Sequence, residues 1–220
     1  MIEFGYSLYS QFGEDGILQH IIKELSLTNK ECCEFGMSGV INSNTYNLVE
    51  YYNWRGVFIE SNKENLSHIT CGLVLNRVVE VEGKNSLDSI LSETNLDKRF
   101  DILSIDVDGN DYHIWKSLKE YEPTIVIIEF NPFIEPTKEH IYDGTIFSSS
   151  FKSMVQLAEQ KGYSLLCMSG NLIFGRNDRL VGTSFEKYIT NDPYTLFLND
   201  AVMVGERTYT FKRFIKKHII

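Results

Sequence analysis

Carboxylates dominate the positions where this sequence could do chemistry. They close short apolar runs: Glu34 in Cys32-Cys33-Glu34-Phe35-Gly36, Glu60 after Val57-Phe58-Ile59, and Glu82 after Arg77-Val78-Val79-Glu80-Val81. Asp106 follows Ile102-Leu103-Ser104-Ile105 and Glu129 follows Ile125-Val126-Ile127-Ile128. Asp108 and Asp111 lie just beyond Asp106, and Asn131 just beyond Glu129. If these runs are parallel strands, the acids share the carboxyl-end rim, where open α/β sheets bind their ligands. A nucleotide-phosphate site would need glycine-lined amides and cationic help, and this rim offers little positive charge. It suits a ligand with hydroxyls and positive charge, or a metal ion.

The loop Glu34-Phe35-Gly36-Met37-Ser38-Gly39 contains GxxG but lacks the second glycine of the dinucleotide fingerprint. Glu60 comes 24 residues after Gly36. A carboxylate at the end of a second strand can accept both ribose hydroxyls of an adenosine, each such bond contributing roughly 1.5–3 kcal/mol.

The elements that must position these groups alternate. Ile17, Leu18, Ile21, Ile22 and Leu25 recur at helical spacing behind Gly13-Glu14-Asp15-Gly16. Strands are expected at 32–36, 56–60, 77–81, 101–106 and 124–130. Helices are expected at 44–52 (with Ser43 as N-cap), 62–69, from 86, at 112–121 and at 151–161. Tyr163–Met168 and Leu172–Phe174 flank Ser169-Gly170-Asn171 as a hairpin. The pattern predicts an α/β fold: a mostly parallel sheet with helices on both faces and a terminal antiparallel hairpin.

At 220 residues the chain has the size of one α/β domain. We divide it into an N-terminal cap at 1–30, a core at 31–176 and an accessory segment at 177–220. A formal net charge of −9 disfavours nucleic acid as a partner. No apolar run approaches the roughly 18 residues of a membrane helix, and no basic, apolar leader opens the sequence. Four cysteines without a CxxC spacing fit a reducing, cytoplasmic setting. Lys212, Arg213, Lys216 and Lys217 form a small basic tail, read as a solvated face or a polyanion contact.

Glu34-Phe35-Gly36-Met37-Ser38-Gly39, then Glu60, then Asp106 resembles the S-adenosylmethionine pattern of class I methyltransferases, a Rossmann-like fold with a seven-stranded sheet. More narrowly, four stretches look like the FkbM-type methyltransferases: 10–16 (SQFGEDG), 43–45 (SNT), 103–111 (LSIDVDGND) and 170–174 (GNLIF). The resemblance spans about residues 8–180. Many relatives carry Asp-x-Glu-Gly where this chain has Asp106-Val107-Asp108-Gly109. It implies S-adenosyl-L-methionine as cofactor, with Glu34 and Gly36 under its methionine part. Ser43, Asn44 and Thr45 would receive its carboxylate at a helix start. Glu60, with Ser61 beside it, would hold the ribose, Glu82 would flank the adenine, and Gln11 would close over the cofactor. Asp106 completes the cofactor set.

On the acceptor side, Asp106, Asp108, Glu129 and Asn131 resemble the arrangement of metal-dependent catechol-type O-methyltransferases. Oxygen ligands favour Mg²⁺ or Ca²⁺ over zinc; a hydrogen-bonded polar cluster without a metal is the other reading. Asp108, Asp111, His113 and His140 are the candidate bases, His140 in a lid-like loop at 132–144. Tyr142, Phe147, Tyr188 and Tyr194 could stack on a sugar. The resemblance implies an O-methyltransferase acting on a sugar, glycan or related small molecule, with homo-oligomers allowed. The alternatives are a non-catalytic cofactor-binding interaction module and a nicotinamide-dependent oxidoreductase.

Overall fold

The computed structural model describes residues 1–205. Seven strands form one sheet: β1 (Glu31–Phe35), β2 (Arg55–Ile59), β3 (Leu73–Leu75), β4 (Ile102–Ile105), β5 (Ile125–Ile128), β6 (Tyr163–Met168) and β7 (Leu172–Arg176). Around it pack α1 (Glu14–Glu24), α2 (Tyr46–Tyr52), α3 (Lys63–Leu66), α4 (Leu87–Ser92), α5 (Asp111–Ser117), α6 (Phe151–Gln160), α7 (Asn177–Leu180) and α8 (Pro193–Gly205). The strand order is β3-β2-β1-β4-β5-β7-β6. β1 through β5 pair in parallel, while β7 runs antiparallel to both β5 and β6. The sheet is therefore the expected one, with the last strand slotted inside the edge rather than at it.

Local chemistry explains the elements. β4 and β5 are buried at every residue, as continuous apolar runs must be when both faces are covered. α6 buries Phe151, Met154, Val155 and Ala158, one stripe of a 3.6-residue period. The Ser150 side chain caps its first turn by accepting from the Ser153 amide, and Gly162 at φ +80° takes the left-handed position beyond its end.

One strand is not where the sequence places it. The third strand is Leu73–Leu75 instead of 77–81, and its pairing ends where the Glu60 amide donates to the Leu75 carbonyl at 3.1 Å. Gly72, at φ +83° and packed closely against Phe58, admits the chain to this short edge. The valine-rich run that follows has strand-like composition but leaves the sheet. The helix expected at 44–52 begins only at Tyr46, because the amides before it are held by Glu34 (below). The basic tail at Lys212, Arg213, Lys216 and Lys217 lies outside the described residues. Among the described residues, no helix is long and apolar enough to cross a membrane.

Candidate active site

The chain reverses direction across the sheet between β1 and β4, so the crevice beyond their carboxyl ends is the natural ligand site. Gly36 sits there at φ +81°, and a Cβ on it would overlap the carbonyl oxygen of Asp106. Only glycine lets the loop after β1 lie so close to the loop after β4.

Glu34 is 3% exposed and works inside the protein. Its Oε2 accepts from the Ser43 hydroxyl at 2.6 Å, the Thr45 hydroxyl at 2.7 Å and the Thr45 amide at 2.9 Å; Oε1 accepts from the Asn44 amide at 2.8 Å. Burial pushes its pKa up against these stabilising donors. The Ser43 amide donates to Val40 and the Tyr46 amide to the Ser43 hydroxyl. All four amides at this helix start thus have protein partners. The expectation that Ser43, Asn44 and Thr45 meet a ligand carboxylate is corrected: the carboxylate they hold is Glu34. By the same contacts Glu34 acts as a strap that ties the Gly36 loop to α2.

Beside Gly36 opens a cavity of about 220 Å³, lined by Ile59, Glu60, Ser61, Val78, Val79, Val107, Asn110 and Ile114 among others. Glu60 is buried, and its Oε1 accepts from the Asn62 amide at 2.6 Å and the Ser61 hydroxyl at 3.1 Å. Its Oε2 has no donor among the described residues. Val78 and Val79, read from sequence as strand, instead form part of the apolar wall. Glu82 is corrected: it ends no strand, is exposed, and precedes a short 3₁₀ turn at Gly83–Asn85. Arg77 also lines the cavity, with its guanidinium bound to Glu93 through two contacts of 2.6 and 2.8 Å.

Beyond β4 and β5 the acids converge. One carboxylate oxygen from each of Asp106, Asp108 and Glu129 lies within 4.8 Å of the others. Desolvation first, then the neighbouring acids, push Asp106 and Glu129 well above the ordinary carboxylate range. No ion pair to a Lys or Arg relieves these three among the described residues, and Glu129 Oε2 is buried without a partner. Asp108 is exposed at the apex of the turn, at φ +57°. Asp111 is fully buried: its Oδ1 accepts from the Val107 amide at 2.8 Å and its Oδ2 from the Gly109 amide at 2.9 Å. Both oxygens are occupied, so this candidate base is corrected to the clamp that shapes the 106–110 turn.

The Asn131 carboxamide is likewise engaged by the protein. Its Nδ2 donates to the Phe147 carbonyl and its Oδ1 accepts from the Phe133 amide at 2.9 Å, so the carboxamide organises the 131–150 loop. His113 Nε2 lies 2.8 Å from the Tyr142 carbonyl, while the Tyr142 ring packs on Gly109; His113 thus fastens that loop to the acidic turn. His140 is half-buried with an unpartnered Nε2, its amide held by Ser150 and Ser153. Tyr142 therefore stands against the acidic turn, and Phe147 is exposed on the same loop. Tyr188 packs against Phe185, and Tyr194 lies in a separate groove beside Pro136.

The N-terminal segment covers the same end of the sheet. Asp15 Oδ2 accepts from the amides of Leu8, Tyr9 and Ser10, and Glu14 joins the Phe12 amide to the Ser169 hydroxyl at 2.8 Å each. The Phe12 ring lies on Gly170, in the turn between β6 and β7. Gln11 is exposed on this pinned loop.

No curated protein matches the chain. Residues 76–165 match the family model for the methyltransferase FkbM domain. That span runs from the valine wall through the acidic triad into β6. Taken with a seven-stranded, mostly parallel sheet in which β7 alone is reversed, the match supports an FkbM-type methyltransferase.

Proposed function

We propose that this methyltransferase uses S-adenosyl-L-methionine to methylate a hydroxyl on a sugar, glycan or related small molecule. The observation that carries the cofactor reading is Glu60. It is a buried carboxylate with one oxygen held by the protein and the other lacking a donor, on the wall of the cavity beside Gly36. A vicinal diol supplies the missing donors, and the valine wall with Ile59 suits a flat purine. Gly36, Glu60, Ser61 and Asp106 would hold the cofactor, and Gln11 stands on the loop that covers this end. When bound, the cofactor supplies an electrophilic methyl group.

The chain's own part is alignment, desolvation and removal of one proton. Alignment of reacting groups can be worth roughly 7–11 kcal/mol. With Asp111 and His113 engaged in holding the turn and the loop, the triad of Asp106, Asp108 and Glu129 would accept the proton, with His140, whose Nε2 is unpartnered, as the other candidate base. Such crowded acids must be neutralised by a shared proton or by a divalent cation, and either state would lower the cost of deprotonating a nearby hydroxyl.

The test is calorimetric titration with S-adenosylhomocysteine, on wild type and Glu60→Ala, with and without Mg²⁺. We expect micromolar binding that Glu60→Ala weakens by more than tenfold, the loss of about two charge-assisted hydrogen bonds. Absence of binding by the wild type would overturn the proposal. A Mg²⁺ requirement would assign the cation to the triad, and an acceptor screen with sugars would follow.

A further inference from the structure

One side chain fastens the Glu60 turn to the valine wall of the same cavity. β2 and β3 pair as far as the Glu60 amide, which donates to the Leu75 carbonyl at 3.1 Å. A continued parallel ladder would next bring the Arg77 amide to the Glu60 carbonyl. Instead the chain leaves the sheet after Leu75, and among the described residues no backbone hydrogen bond joins 60–62 to 76–79. Asn76 takes over that carbonyl. Its Nδ2 donates to the Glu60 carbonyl at 2.8 Å and to the Ser61 carbonyl at 2.8 Å. Both partners are acceptors, so the nitrogen of the carboxamide, not its oxygen, must face them.

We propose that Asn76 is a positioning residue for ribose recognition: through the two carbonyls it holds, it aims the Glu60 carboxylate and sets its place relative to the valine wall. This rests on the reading of Glu60 as the carboxylate that takes the cofactor's diol.

The donors that aim Glu60 sit on the turn that Asn76 grips. Glu60 Oε1 accepts from the Asn62 amide at 2.6 Å and from the Ser61 hydroxyl at 3.1 Å, and the Ser61 carbonyl is one of the two that Asn76 holds. A glutamate left to itself samples many rotamers, and a ligand that must select one of them binds more weakly. With the turn fixed, Oε2 is presented to the cavity before a ligand arrives. In sequence Asn76 directly precedes Arg77, Val78 and Val79, which line the cavity, so the same side chain joins the ribose carboxylate to the purine wall. Arg77, bound to Glu93, holds this segment from its other side. Asn76 itself is exposed, and its bond to Ser61 is open to solvent, so water can replace it there without unfolding the chain.

The test is a double-mutant cycle on the full chain, read by calorimetric titration with S-adenosylhomocysteine: wild type, Asn76→Ala, Glu60→Ala and the double variant. We expect Asn76→Ala to raise the dissociation constant at least fivefold when Glu60 is present and less than twofold when it is alanine, because the two residues act as one unit. A purely structural role would weaken both backgrounds equally. Asn76→Asp keeps the shape but turns an acceptor toward two carbonyls, and should weaken binding at least as much as alanine; it also serves if Asn76→Ala fails to fold by circular dichroism. Wild-type affinity in Asn76→Ala, or equal losses in the two backgrounds, would overturn the role of Asn76 while leaving the cofactor reading intact. A wild type that does not bind S-adenosylhomocysteine would overturn the cofactor reading, and this inference with it.

Discussion

Glu129→Gln tests the electrostatics of the triad directly. The substitution keeps the shape of a protonated carboxyl and removes its ability to ionise. Oxygens of Glu129, Asp106 and Asp108 lie within 4.8 Å of one another. Two unit charges at that distance repel by about 3.5 kcal/mol at an effective dielectric of 20, and residual solvent access reduces the expected effect to roughly 1–3 kcal/mol. The pKa values of Glu129 and Asp106 are raised in the fold, chiefly by burial. The folded protein therefore binds more protons than the unfolded chain above the ordinary carboxylate pKa of about 4. Stability present below that pH is lost as pH rises toward the folded values. Thermal melts in EDTA between about pH 5 and 9 should show the wild type losing stability as pH rises. Glu129→Gln should lose less and melt higher at the alkaline end, by about 2–4 °C for each kcal/mol. The two curves should converge near pH 5. Parallel curves, or a variant less stable throughout, would refute the picture of mutually repelling buried acids.

Gly36→Ala and Gly83→Ala form a matched pair, since both glycines have φ +81°. At Gly83 nothing lies within 4 Å of the added carbon, and only the left-handed backbone cost of roughly 1–2 kcal/mol is expected. At Gly36 the overlap with Asp106 adds to it, so chemical denaturation should show a loss of more than about 3 kcal/mol, or no soluble protein. Cysteine accessibility checks the core: Cys32, Cys33 and Cys167 are buried and Cys71 only partly, with burial raising all four thiols. Mass spectrometry after maleimide treatment should find one adduct, at Cys71, in native protein and four after denaturation.

The sheet was legible because its central strands are short all-apolar runs bounded by acids and glycines, a pattern that survives without tertiary information. Even the reversed hairpin showed in Ser169-Gly170-Asn171. The error at 77–81 came from reading valines as sheet when they wall a cavity, and no periodicity separates the two uses. For the candidate site, the placement of residues at strand ends was legible and their contacts were not. Gly36, Glu60 and the Asp106, Asp108, Glu129 cluster stand where strand ends put them. Glu34, Asp111, His113 and Asn131 were candidates for ligand or catalytic work and instead hold backbone and loops. A carboxylate that binds a ligand and one that binds a turn have the same sequence signature; only the donors around it tell them apart.

The position of β7 has a consequence for how the chain reaches this state. Ile125-Val126-Ile127-Ile128 is the most apolar strand, and its outer edge is covered by a segment about fifty residues later, through the register Ile128↔Leu172 to Ile125↔Gly175. During synthesis β1 to β5 can assemble while that edge still presents unpaired amides and carbonyls. Until the β6–β7 hairpin forms and docks, the half-built sheet carries its stickiest strand at an open border, a template for other nascent chains. The loop at 131–150 and α6 are made in that interval. Slowing translation across this stretch, or destabilising the hairpin at Gly170, should therefore show first as aggregation during expression, before any change in the finished fold.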